Sequence, residues 1–177
     1  MELMDVIKAR RSMRRLKEDP VPQELLEYML EAASFAPSWH NKQCWQFLVL
    51  TDERRQLVAN AVPEKNPAKK ALAQAPVIII ACADPAESGD EDGKLYYLAD
   101  TAMAMEHIML AAADKGLGTC WVAGWLDENY LKETFSIPAN LRVVGVTPVG
   151  FPSYEPKPRL RKTVKEITHL NQWGQQF

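Results

Sequence analysis

The stretch YYLADTAMAMEHIMLAAADKG, residues 96–116, constrains this chain more than any other. Ala, Leu and Met are strong helix formers and no proline interrupts the run, so its composition predicts the longest helix of the protein. A surface helix keeps one polar face toward water, but this one is apolar on most faces and must be covered on nearly all sides. It is apolar on more faces than one layer of a 177-residue chain readily covers. Small Ala and pliable Met suit close helix contact across a subunit boundary, so the same stretch predicts a homodimer.

Further alternation of helical and strand-like patterns surrounds it. DVIKAR reads as a short first helix, and PVPQELLEYMLEAASFAP as a second, with Pro22 near its first turn and Pro37 as its stop. WQFLVLT alternates like a strand, and DERRQLVANAV predicts a helix capped by Asp52. APVIIIACA, residues 75–83, is a buried strand and far too short to span a membrane. DPAESGDEDG reads as an acidic loop, TCWVAGW and LRVVGVTPVG as two strands around a short helix begun by Asp127, and FPSYEPKPRLRK as an extended tail. Residues 1–177 read as one domain without internal repeats. A hydrophobic fraction of 47% and a charged fraction of 25% fit an ordinary globular protein. No secretory signal precedes Asp5, and Cys44, Cys82 and Cys120 lack any paired or metal-ligand spacing. The expectation is a cytoplasmic protein with reduced thiols, no membrane association and no bound metal.

Charge gives the first functional signal. The net charge is −2, yet Lys8, Arg10, Arg11, Arg14, Arg15 and Lys17 crowd one segment, and Lys157, Arg159, Arg161 and Lys162 crowd another. Two basic clusters with Ser12 inside the first suggest one shared small anion, such as a phosphate held by guanidinium forks and a hydroxyl. Solvated surface charge is the alternative for each residue taken singly. Nucleic-acid binding would need a long basic stripe with stacking aromatics, and the acidic remainder opposes it.

Recognisable catalytic motifs are missing. GLGT at Gly116–Thr119 follows a helix where a dinucleotide fingerprint must follow a strand, and there is no Walker loop or nucleophile elbow. His107, on the long helix, reads as a hydrogen-bonded core or interface residue. Chemistry must then come from a bound cofactor. APSWHNKQCW, residues 36–45, packs two indoles, an imidazole and two amides into one loop, a set suited to a flat ring with polar edges.

Taken in order, ARRSMRRLKEDPVPQELLEYMLEAASFAPSWHNKQCWQFLVL, GLGTCWVAG, VGVTPVGFP and KPRLRKTVKEI resemble the signatures of the nitroreductase-like flavoproteins over nearly the whole chain. The resemblance implies an α+β fold: three α-β-α layers, a central mostly antiparallel sheet and an intertwined homodimer with FMN bound non-covalently at its interface. It implies that Arg10, Arg11 and Ser12 hold the phosphate, joined by Arg159 and Arg161 from a basic tail of about residues 151–177 that completes the site. Arg14 would reach the pyrimidine edge of the flavin, and the adjacent Arg15 would be solvated surface. Ser38 and Asn41 would contribute from the same or the partner subunit, and Trp121, Val122 and Ala123 would pass beside the ring.

The sequence departs from the family pattern at Cys44, where proline is usual, and at Trp39 and His40, bulkier than the small residues many members carry. Cys44 reads as a small hydrophobe at a strand start. Trp39 and His40 either narrow the substrate pocket or pack against the partner subunit.

Functionally, the resemblance implies an FMN-dependent NAD(P)H oxidoreductase that passes two electrons by a ping-pong mechanism to a nitroaromatic, quinone or related small acceptor. No residue of the protein serves as catalytic acid or base in this reading. A non-catalytic flavin store or sensor is the alternative, and turnover with NADH or NADPH separates the two. Relatives with reductive dehalogenation or other specialised flavin chemistry leave the acceptor open.

Overall fold

The computed structural model describes residues 2–157 and 159–176. In chain order its elements are α1 (Leu3–Ala9), α2 (Gln23–Ser34), β1 (Trp45–Leu50), a 3-10 helix (Glu53–Ala61), α3 (Lys69–Gln74), β2 (Val77–Ala83), β3 (Asp90–Glu91), β4 (Lys94–Leu95), α4 (Tyr96–Asp114), β5 (Gly118–Thr119), α5 (Glu128–Phe135), β6 (Arg142–Gly150) and α6 (Val164–Ile167). Short 3-10 turns also occur at Trp39–Asn41 and Pro85–Glu87.

The main sheet runs β1-β2-β6-β5, with every pair antiparallel. One isolated parallel bridge, Ser12 to Thr119, adds the amino-terminal arm beside β5. The α+β class and antiparallel sheet are those expected.

β2 explains the layering. All seven of its residues are buried, and successive side chains of a strand point to opposite faces. Ile78, Ile80 and Cys82 enter a core with Val58, Leu72, Leu131 and Val146 beneath the 3-10 helix, α3 and α5. Val77, Ile79 and Ala81 enter a second core with Met29, Ala33, Met105 and Ile108 from α2 and α4. One continuous apolar run therefore serves two helical layers, giving the three-layer arrangement.

Local chemistry sets several boundaries. Asp127 accepts the Tyr130 N–H at 3.0 Å, the cap expected for α5. Asp52 also caps, accepting the Arg54 N–H at 3.1 Å, but the helix it opens is 3-10 rather than α. Of the strand expected over TCWVAGW only Thr119 is realised, as the second residue of β5. The Cys120 N–H donates to the Thr147 side-chain Oγ1 at 3.1 Å instead of a strand carbonyl, and only Val122 regains the sheet, through a bridge to Val146. The end of the acidic loop forms β3, which pairs with β4 just beyond it, and the tail gains α6 through a capping box of Thr163 and Glu166.

α4 is partly covered within the chain. Tyr97, Thr101, Ala104, Met105 and Ile108 are buried, whereas Leu98 and Met103 remain exposed, as do Leu3, Met4 and Ile7 of α1. His107 is half-buried, its Nδ1 2.9 Å from the Ala32 carbonyl oxygen.

Candidate functional site

Backbone hydrogen bonds place the amino-terminal arginines. The Met13 N–H donates to the Thr119 carbonyl at 2.7 Å, and the Lys17 N–H to the Phe151 carbonyl at 2.8 Å. Met13 and Leu16 are buried, whereas Ser12, Arg15 and Lys17 are exposed and Arg10, Arg11 and Arg14 are half-buried along the strap. The same pairing brings the start of the tail alongside, through a Leu16–Pro152 bridge.

A cleft of about 560 Å³ results, lined by Arg10, Arg11, Ser12, Arg14, Arg15, Tyr154, Glu155, Pro156, Lys157, Arg159 and Arg161. Both basic clusters of the sequence thus meet in one place. Arg10 forms a loose ion pair with Glu106 at 3.6 Å, and Arg11 donates to the carbonyls of Lys8 and Arg10. Arg15 is exposed but not simply solvated: its guanidinium lies 4.4 Å from the centre of the Tyr154 ring.

Arg14 stands apart. Its Nε is buried and has no hydrogen-bond partner among the described residues. The Arg14 side chain lines the cleft and lies beside the Cys120 thiol, bringing fixed positive charge to both. Arg14 also lines an adjoining cavity of about 180 Å³ with Asn66, Pro67, Cys120, Trp121, Val122, Ala123, Gly124 and Trp125. Trp121, Val122 and Ala123, expected beside a planar ligand, therefore share an edge with the arginine cleft. The Trp121 indole is fixed across Gly145, where a Cβ would approach the ring to 2.5 Å.

Asn66 is a lining residue that the sequence reading missed. Its side-chain oxygen accepts the Ala68 N–H at 2.9 Å, and only 9% of the residue is exposed. A polar residue in PEKNPAKK resembles any solvated loop, and only its burial distinguishes it.

Ser38, Trp39, His40 and Asn41 lie elsewhere. They form the turn before β1, where the Ser38 Oγ accepts the Gln43 N–H at 2.9 Å. Trp45 at the start of β1 pairs with Ala83, and Ala83 with Arg142, whereas Ser12 and Thr119 align with Val149. These are diagonally opposite corners of the sheet, on the order of 30 Å apart at about 3.3 Å per residue and about 4.8 Å per strand.

The three thiols are buried and unpaired. Burial, then the nearby Glu128 charge, pushes Cys82 up to about 11. Burial raises Cys44, with the Asp100 carboxylate adding to it, and burial raises Cys120 despite the opposing pull of Arg14. None has the depressed pKa of a nucleophile, and Cys44 is buried as expected, with its thiol also 3.8 Å from the Asp100 carboxylate. Among the described residues no group of three His, Cys, Asp or Glu could hold a metal ion, and no helix is long and apolar enough to cross a membrane.

Three layers around an antiparallel sheet, with a guanidinium-lined cleft where the amino-terminal strap meets the tail, define an α+β protein. The chain belongs to the nitroreductase family, whose model matches residues 7–151. It is similar to a crystal structure of a nitroreductase family protein from Clostridium novyi NT, with 42% identity, a TM-score of 0.83 and coverage of 100% of this chain and 97% of that one. An FMN-dependent nitroreductase of Clostridium difficile R20291 shares 25% identity with a TM-score of 0.83, over 96% of this chain and 99% of its own. A protein of Methanothermobacter thermautotrophicus, provisionally named NADH dehydrogenase/NAD(P)H nitroreductase, is 32% identical over 176 residues, 98% of this chain and 88% of its own.

Proposed function

We propose that the protein is an FMN-dependent NAD(P)H oxidoreductase whose flavin phosphate occupies the arginine cleft. The meeting of Arg10, Arg11, Arg14, Arg159 and Arg161 in one cleft carries this reading, because Arg14 also lines the cavity of Trp121, Val122 and Ala123 and so sets guanidinium groups for a phosphate beside a place for a flat ring. Arg10, Arg11, Ser12, Arg159 and Arg161 hold the phosphate, and Trp121, Val122 and Ala123 flank the ring. Residues 1–177 act as one unit, with the basic tail from about residue 151 completing the site. Three reduced, buried cysteines accord with a cytoplasmic enzyme.

When bound, FMN supplies the two-electron chemistry, taking hydride from NADH or NADPH and passing electrons to a nitroaromatic, quinone or related small acceptor. Donor and acceptor use the same site in turn, a ping-pong order that needs no catalytic acid or base from the chain. The residues bind, orient and provide fixed positive charge. An absorbance spectrum of the purified protein, followed by anaerobic addition of NADH and NADPH, tests the proposal. Flavin bands that bleach on addition support it. A colourless protein that fails to bind added FMN refutes it, and stable flavin bands with either donor would favour a store or sensor.

The enzyme is a homodimer in this reading. Ser38 and Asn41 belong to the turn at the Trp45–Ala83 end of the sheet and do not line the arginine cleft, which supports assigning them to the partner's flavin. Exposed Leu98 and Met103 on α4, and a tail in which Leu160, Val164, Ile167 and Trp173 are open to solvent, supply apolar surface for the subunit contact. Sedimentation should give a dimer at micromolar concentration, and a folded, flavin-loaded monomer there would exclude this arrangement.

Trp39 and His40 narrow the acceptor pocket. Their rings meet with centroids 4.2 Å apart at 55°. Changing both to Ala should leave FMN bound and extend turnover toward larger quinones. An unchanged acceptor profile would place them in the subunit contact instead.

A further inference from the structure

Asp100 is the one buried carboxylate among the described residues, only 3% exposed on an otherwise apolar helix. Burying a charge is costly unless donors surround it. Asp100 Oδ1 accepts the Trp39 backbone N–H at 3.1 Å, Oδ2 accepts the Ser88 hydroxyl at 3.0 Å, and the Cys44 thiol lies 3.8 Å from Oδ2. These donors come from three separate segments, two of which bracket the turn that leads into β1.

That turn is conformationally demanding. His40, Asn41 and Gln43 have φ of 48°, 56° and 51°, the left-handed region, and none is glycine. Inside the turn Asn41 N–H donates to the Ser38 carbonyl, Lys42 N–H to the Trp39 carbonyl and Gln43 N–H to the Ser38 Oγ. Those bonds tie the turn to itself, whereas the Trp39–Asp100 bond ties it to α4. Next to Ser88, Gly89 leaves room for the indole: a Cβ there would lie 2.7 Å from the Trp39 ring.

We infer that Asp100 is a positioning residue that pins the Ser38–Gln43 turn, and with it the Trp39–His40 pair, to α4. Its consequence for turnover rests on the reading above that this pair borders the acceptor.

Amide hydrogen exchange on the flavin-loaded protein tests the anchor without reference to activity. In the unaltered protein the Trp39 amide should be protected, and Asp100→Leu should speed its exchange about tenfold or more by local opening. Asp100→Asn, whose side-chain oxygen can still accept the Trp39 N–H, should restore protection. In parallel, Asp100→Leu should raise the acceptor KM about fivefold or more while leaving the limiting rate of flavin reduction at saturating NAD(P)H unchanged, the pattern of a lost binding contact.

An unprotected Trp39 amide in the unaltered protein, or equal protection in Asp100→Leu, would overturn the inference. If Asp100→Leu does not fold, the unaltered protein and Asp100→Asn decide it: a protected amide in both sustains the anchor, and exposure in either overturns it. Faster exchange with an unchanged acceptor KM would sustain the anchor and overturn the placement of Trp39 and His40 beside the acceptor.

Discussion

A protein shortened to end at Pro156 should lose its flavin, its FMN Kd rising about a hundredfold or more as charge-assisted contacts disappear. Lys157, Arg159 and Arg161 line the arginine cleft together with Arg10, Arg11, Ser12 and Arg14, so the shortened chain keeps only one side of it. Because the tail also exposes apolar residues assigned to the subunit contact, the double variant Arg159→Ala/Arg161→Ala separates the two effects. It keeps Leu160, Val164 and Trp173 and removes only the guanidinium groups. Titration of the apoproteins with FMN, followed by quenching of flavin fluorescence, measures both. A full loss in the shortened chain with a partial loss in the double variant is the expected order. Unchanged affinity in both would make the tail cluster surface charge.

Arg14→Ala should lower the two-electron midpoint potential of bound FMN by roughly 30–60 mV, the equivalent of about 1.5–3 kcal/mol for a hydrogen bond to a charged group. Reduction leaves more negative charge at the pyrimidine edge of the flavin, so a fixed guanidinium there favours the reduced over the oxidised cofactor. That difference is what accelerates hydride acceptance, and the variant should be reduced more slowly by NAD(P)H. Arg15 is a poor control, since its guanidinium rests on Tyr154 and lines the same cleft. Lys17, exposed and held by its backbone N–H on the Phe151 carbonyl, is a better one, and Lys17→Ala should leave the potential unchanged. Redox titration with FMN saturating is the measurement. An unchanged potential in Arg14→Ala would place this arginine at the phosphate rather than the ring.

Features governed by short-range rules were legible in the chain. The apolar run of β2 and the Ala- and Met-rich α4 could be read directly, because burial on both sides leaves a continuous hydrophobic signature. Asp127 announced α5 through a side chain acting three residues away. The two basic clusters were read as sharing one place, and the fold brings them into one cleft. What escaped depended on residues distant in sequence. β5 ends early because Cys120 donates to a threonine side chain 27 positions later, and no pattern near Cys120 signals that. The turn before β1 adopts left-handed backbone without glycine, held in part by Asp100 from 61 positions away. Asn66 looked like an ordinary loop residue until the fold enclosed it.

The strap formed by residues 10–17 is fastened by main-chain atoms, Met13 to Thr119 and Lys17 to Phe151. Peptide groups are the same whatever side chains they carry, so the positions of residues 10, 11, 12 and 14 in space are largely independent of what occupies them. Evolution can therefore rewrite the charge of the cleft one residue at a time without disturbing the fold beneath it. Such an arrangement lets related chains keep one scaffold while retuning the electrical environment of whatever they hold, and it makes the outward positions of this strap natural sites at which to engineer a different redox poise.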